Sequence, residues 1–196
     1  MKILAFVDSH NIEKNNKAII KKSKEADILV CAGDLTWFGK DLDRMLKTFA
    51  KIEKIILMIH GNHEDPEKLE KLCKKYKNIR FLHKKSFRMG NRVFFGWGGG
   101  GFARQDKRFE QGIALFKKTL KKGDKLILIT HGPPYKTKLD ELHGDYVGNN
   151  SYNKAIKTLK PLLYICGHIE ENAKAKQVIG KTLIINPGGD GEILKV

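Results

Sequence analysis

Five times along this chain a short apolar run stops at a turn carrying a carboxylate, a carboxamide or an imidazole. Residues 3–7 stop at Asp8-Ser9-His10, residues 27–31 at Gly33-Asp34, and residues 54–59 at Gly61-Asn62-His63. Later, residues 125–130 stop at His131-Gly132 and residues 162–166 at Gly167-His168-Ile169-Glu170. Unbroken apolar runs of this length, closed by turn residues, suit strands buried on both faces.

What lies between the runs fixes their direction. Residues 14–25 and 41–50 have helical spacing, and Pro66 opens a further helix at a favoured first-turn position. Strand and helix therefore alternate through the first half, which predicts parallel strands joined by helical crossovers. The second half reads as short strands at 79–82, 87–89 and 92–97, the glycine run Gly98 to Gly101, and a helix over 105–121. A helix over 151–159 follows, ended by Pro161. The tail, over 174–179, 182–185 and 192–196, reads as an antiparallel meander. No linker, low-complexity stretch or internal repeat interrupts residues 1–196, so one α/β domain of two sheets enclosed by helices is expected.

The chain carries a formal net charge of +16, mostly from lysine, which favours anionic partners such as phosphorylated molecules or nucleic acid. Many lysines recur in pairs at helical spacing, as Lys74-Lys75 and Lys117-Lys118 do, and these read as solvated helix faces. The lysine-rich, glutamine-poor balance fits a protein from a hot environment. Cys31, Cys73 and Cys166 form no CxxC pair, which points away from a disulfide framework and towards a reducing cytoplasm. The first apolar run is too short for a signal peptide, and no run approaches membrane-spanning length.

Each strand-end residue alone is ordinary. Together they converge, because parallel strands deliver their carboxyl ends to one rim, where ligands bind. A mixed set of Asp, Asn and His suits borderline-to-hard divalent ions.

The order Asp8-Ser9-His10, Gly33-Asp34, Gly61-Asn62-His63-Glu64, Thr130-His131-Gly132 and Gly167-His168-Ile169-Glu170 resembles the calcineurin-like metallophosphoesterase superfamily. Asn186-Pro187-Gly188 is similar to that family's C-terminal turn. The resemblance implies a four-layer αββα sandwich, two mixed sheets flanked by helices, with the metal site at the carboxyl ends of the strands. It implies two divalent ions, and the oxygen-rich ligand types put manganese first, with iron, nickel, zinc or magnesium as alternatives. Asp8, His10 and Asp34 would hold one ion. Asp34 would bridge to the second, completed by Asn62, His131 and His168. His63 would act on the phosphate without ligating. The implied activity is metal-dependent hydrolysis of a phosphate ester by a metal-activated water, with phosphodiesters preferred and a phosphomonoesterase or nuclease as alternatives. Nucleotide or nucleic acid is a candidate substrate, and a homodimer is compatible.

One position departs from the pattern. The family's last motif ends in His, and here it ends in Glu170. Glu170 either ligates the first ion, making that site harder, or faces solvent and leaves it weak. In the second case the chain would be a metallophosphoesterase-fold interaction protein with little catalysis. Gly99 and Gly100 either cradle a phosphate with backbone N–H groups or form a tight turn. His60 reads as structural, His83 has no evident partner, and His143 reads as a loop residue. Phe102, Arg104 and Lys107 would suit an extended anionic substrate if a second aromatic platform were present.

Overall fold

Strand β1 (Lys2–Phe6) alternates its side chains between two buried environments. Ile3 and Ala5, with Val7 beyond the strand, enter one apolar cluster, and Leu4 and Phe6 enter another. That is the two-residue period of a strand with no solvent-facing side. The structure, a computed structural model, describes residues 1–196.

β2 (Ile28–Cys31) pairs with it in parallel, and β3 (Ile56–Met58) pairs in parallel with β2, Phe6 standing opposite Cys31 and Cys31 opposite Met58. The three strands therefore end level. With β4 (Ile79–Phe81) and β13 (Glu192–Lys195) they form a five-stranded sheet in the order β13-β1-β2-β3-β4.

The second sheet has six strands: β5 (Lys85–Met89), β6 (Arg92–Trp97), β7 (Lys125–Thr130), β10 (Leu163–Ile165), β11 (Lys176–Ile179) and β12 (Thr182–Ile185). Their order is β11-β12-β10-β7-β6-β5. β7 and β10 are adjacent and parallel.

One apolar cluster fills the space between the sheets, joining Ile3, Val30 and Leu57 to Phe94, Ile127 and Ile165. Helices α1 (Glu13–Ser23), α2 (Leu42–Ala50) and α3 (Pro66–Cys73) cover the outer face of the first sheet through Ile19, Leu46, Phe49 and Leu69. Helices α4 (Lys107–Lys117) and α5 (Asn150–Leu159) cover the second through Phe109, Phe116, Tyr152 and Ile156. The result is the four-layer sandwich of two mixed sheets. None of its helices is long and apolar enough to cross a membrane.

Three local expectations need correction. The tail is not one meander: β11 and β12 form an antiparallel hairpin, but β13 crosses to the other sheet and pairs antiparallel with β1. α4 is shorter than 105–121, starting after the Asp106 cap, whose side chain accepts the Phe109 N–H, and stopping at Lys117. The segment around His143 is not plain loop: β8 (Glu141–Leu142) and β9 (Asp145–Tyr146) make a small hairpin with His143 in its turn.

Candidate metal centre

Because β1, β2 and β3 end level, the residues after them face the residues after β7 and β10 across the gap between the sheets. Backbone bonds tie the turns together. The Asp8 N–H donates to the Gly33 carbonyl (3.1 Å), the His10 N–H to the Asp34 carbonyl (3.1 Å), and the Gly167 N–H to the His131 carbonyl (2.7 Å). Other bonds join the sheets' rims, among them the His168 N–H donating to Asp8 Oδ2 (2.8 Å) and His131 Nδ1 donating to the Ala32 carbonyl (3.0 Å).

Asp34 is the hub. Its Oδ2 lies 3.3 Å from His131 Nε2 and 3.8 Å from His63 Nε2. Ligand-type atoms of His10, Asp34 and His63 lie within 4.8 Å of one another, and so do those of Asp34, His131 and His168. Asp8 stands beside the second group, its Oδ1 3.9 Å from His131 Nδ1. Glu170 reaches the first, its Oε1 3.2 Å from His10 Nε2. Asn62 places Oδ1 2.9 Å from His131 Nε2. All seven residues expected as ligands thus come together in one cluster, and His63 joins them.

The donor set fits divalent ions. With Nδ1 of His131 donating to Ala32, Nε2 is the free ring nitrogen, and it faces Asn62 Oδ1 and Asp34 Oδ2. Three lone pairs therefore point at one another and need a cation among them. In the metal-free protein a proton serves. Burial opposes charge on His131, but the hydrogen-bonded Asp34 carboxylate outweighs it, and the pKa is pushed up to about 9. Asp8 Oδ1, His10 Nδ1, His63 Nδ1 and His168 Nε2 are all buried without a hydrogen-bond partner. Each such atom costs about 1–3 kcal/mol unless something satisfies it. Burial pushes Asp8 up to about 7, and burial together with the charge on His131 pushes His168 down to about 4. Metal ligation favours the opposite for Asp8, a bare carboxylate, and the same for His168, a neutral ring.

The glycines of the motifs have steric reasons. A Cβ at Gly61 would lie 1.9 Å from Asp34 Oδ1, and one at Gly167 would lie 2.6 Å from Asp8 Oδ2. Gly98 and Gly99 pack on His60: a Cβ at Gly98 would lie 2.6 Å from His60 Cδ2, and one at Gly99 2.9 Å from His60 Cε1. The Gly99 N–H already donates to the His60 carbonyl (3.0 Å), so it is not free to hold a phosphate. Gly100 lies nearer Tyr152, a Cβ there reaching 3.5 Å from its hydroxyl. His83, without a partner in the sequence, accepts the Gly98 N–H at Nδ1 (2.8 Å).

Two features escaped the sequence. Glu64 is buried, and its carboxylate accepts the N–H groups of Asp34, Gly61 and Thr36 (3.0, 3.0 and 2.9 Å). It clamps the Asp34 turn to the Asn62 turn, and its place beside His63 in the motif was the available signal. Trp37 and Phe38 are the second. Trp37 stacks on His10 (ring centroids 3.7 Å apart), and Phe38 meets His63 edge-on (4.3 Å). Neither sits in a periodic segment, so only adjacency to Gly33-Asp34 hinted at them.

The calcineurin-like phosphoesterase family model matches residues 1–171. An uncharacterised Methanocaldococcus jannaschii protein, MJ1162, is 30% identical over 95% of this chain and 88% of its own length. Among solved structures, TT1561 of Thermus thermophilus superposes with a TM-score of 0.79 at 16% identity, over 95% of this chain and 88% of that one. A dimetal phosphatase of Danio rerio superposes with a TM-score of 0.67 at 10% identity, over 94% and 86%. Those two structures share the fold, and the family match extends through every motif up to Glu170, so the chain belongs to the calcineurin-like phosphoesterase family.

Proposed function

We propose that this protein hydrolyses phosphodiesters at a centre of two divalent ions, manganese foremost. The carrying observation is that Asp34 belongs to both clusters of ligand-type atoms, and a carboxylate, with two oxygens, can serve two ions at once. Following the family pattern, His10, Glu170 and Asp8, whose Oδ1 also lies 3.9 Å from His131, would complete one position, and Asn62, His131 and His168 the other. When bound, such ions polarise phosphoryl oxygens and make a water nucleophilic near neutral pH.

The chain's own residues do the rest. The Ala32 carbonyl fixes the His131 ring, so Nε2 is the nitrogen that would ligate. Asn62 offers a neutral oxygen, which lowers the negative charge that a phosphate must approach. His63, held by the Trp37 and Phe38 rings, stands beside Asp34, where it would donate to a phosphoryl or leaving oxygen.

The test is hydrolysis of bis-p-nitrophenyl phosphate beside p-nitrophenyl phosphate by chelator-stripped protein given Mn²⁺, Mg²⁺, Ni²⁺ or Zn²⁺ in turn. Metal-restored turnover, faster on the diester, is the expected result. A folded sample inert with every metal would sink the reading and leave an interaction protein on a phosphoesterase fold.

A further inference from the structure

Exposed aromatic rings are few in this protein, and they are not scattered. Trp37 (46% exposed), Phe38 (81%), Phe102 (60%) and Tyr146 (39%) are the large aromatics left in solvent. Three of these four touch imidazoles of the metal centre. Trp37 and Phe38 pack on His10 and His63, and Phe102 packs on His168 (4.9 Å). The fourth, Tyr146, packs on Tyr135, whose ring lies 4.6 Å from the exposed Arg104 guanidinium.

Their placement is two-sided. His10 and His63 share one cluster of polar atoms with Asp34, and His168 shares the other. One aromatic platform therefore stands at each half of the centre. Phe38 also holds a left-handed backbone (φ 49°), unfavourable for a residue with a bulky side chain. With that ring in solvent, core packing does not explain why the chain holds it there. Clustered exposed apolar surface marks a binding site more often than chance.

We propose that these two platforms bind the planar bases of a nucleotide-type phosphodiester whose phosphate lies at the metal centre. The proposal rests on the phosphodiesterase reading above and names its substrate class. A diester carries two organic groups on phosphorus, and one platform stands beside each of the two clusters that share Asp34. Bases stack on aromatic rings whatever their identity, and cations beside such rings serve the anionic backbone. Arg104, two residues beyond Phe102, and Lys136, 5.7 Å from the Tyr135 ring, supply those charges on the Phe102 side.

The experiment uses manganese-loaded protein and two esters with one leaving group: thymidine 5′-(p-nitrophenyl phosphate) and methyl p-nitrophenyl phosphate. The thymidine ester should have a kcat/KM about tenfold or more higher, the scale of one base stack. Phe38→Ala or Phe102→Ala should lower the thymidine-to-methyl ratio severalfold. Equal kcat/KM for the two esters, or a ratio unmoved in both variants, overturns the platforms and leaves the phosphodiesterase reading standing. If neither ester is hydrolysed, that reading fails instead, and calorimetry decides the platforms. AMP binding about tenfold tighter than ribose 5-phosphate supports them, and equal affinity overturns them.

Discussion

Glu64→Gln tests the clamp on the Asp34 turn without touching a ligand. Glutamine keeps the volume but replaces one carboxylate oxygen with an amide NH₂. On the Oε2 side that group would face the N–H groups of Asp34 and Gly61, leaving two donors unpaired. On the Oε1 side it would face the Thr36 N–H and Oγ1. There the hydroxyl can turn to accept, so only one N–H is orphaned, and the side chain will choose this orientation. One buried unpaired donor costs about 1–3 kcal/mol. The surviving bonds also lose charge assistance, worth about 1 kcal/mol more. Against this, burial and then the Asp34 charge hold the Glu64 pKa above the usual carboxylate range, so removing its charge returns part of the cost. The net expectation is about 2 kcal/mol. For a chain of this length that is a drop in Tm of about 4–8 °C. The measurement is thermal unfolding followed by circular dichroism at neutral pH with chelator present, so that no ion masks the change. A Tm within about 1 °C of the parent would refute the clamp.

Four further outcomes are expected. Gly61→Ala puts a Cβ into the Asp34 carboxylate, so elemental analysis should find most of both ions lost; full metal content would show that Asp34 is not the bridge. Glu170→Ala should lower metal content from two ions towards one, because it removes the carboxylate beside His10; two ions retained would place Glu170 outside the ligand set. His63→Ala should keep both ions and lower kcat about 10²-fold, whereas lost metal would make His63 a ligand. His83, held down to about 4 by burial and then by the charges of His60 and Lys84, titrates lower when folded than when unfolded. Its contribution is therefore complete above about pH 6.5 and disappears as pH falls from 6.5 towards 4. His83→Gln should lose about 1–2 kcal/mol less between pH 7 and 4.5 in urea titrations, after discounting for solvent contact, and equal losses would exclude His83 as the source.

Much of this architecture was legible because both sheets are covered. Residues 3–7, 27–31 and 125–130 must satisfy two apolar clusters at once, so their sequence cannot alternate and strand ends stand out sharply. The turn residues were legible for the same reason, since a carboxylate has no place inside such a run. Pairing at an edge was not legible. Glu192-Ile193-Leu194-Lys195 looks like another strand of the tail hairpin, and its choice of β1 is made by the open edge beside Lys2–Phe6. Helix ends blurred where lysine pairs continued helical spacing past Lys117, because solvated lysines fit a helix or a turn equally well. Trp37 and Phe38 were invisible because periodicity finds cores, and these rings face outward beside the cleft.

The convergence of ligands has a backbone cost. Asp8 (φ 52°), His10 (φ 49°), Asp34 (φ 50°) and His168 (φ 72°) all occupy the left-handed region. Strand side chains alternate between the clusters, so a chain leaving β1 or β2 can aim a ligand into the gap between sheets only by turning abruptly. Each such residue costs about 1–2 kcal/mol outside glycine, less for Asp and His, which tolerate the region better than branched side chains. The surrounding bonds over-determine these turns: Asp8 is tied to Gly33, His10 to Asp34, and the His168 N–H to the Asp8 carboxylate. Glu64 supplies the remaining ties at the Asp34 turn. Strain held in place this way leaves these side chains already aimed at one another, so an ion binding there would not spend binding energy on reorganising the chain. It also leaves buried nitrogen and oxygen atoms unpaired. An ion that satisfies them binds the folded state and not the unfolded one, and so raises stability with its own concentration. If the centre binds its ions as proposed, fold stability and metal occupancy become one linked quantity, which is why the clamp must be measured with chelator and Glu170 with metal.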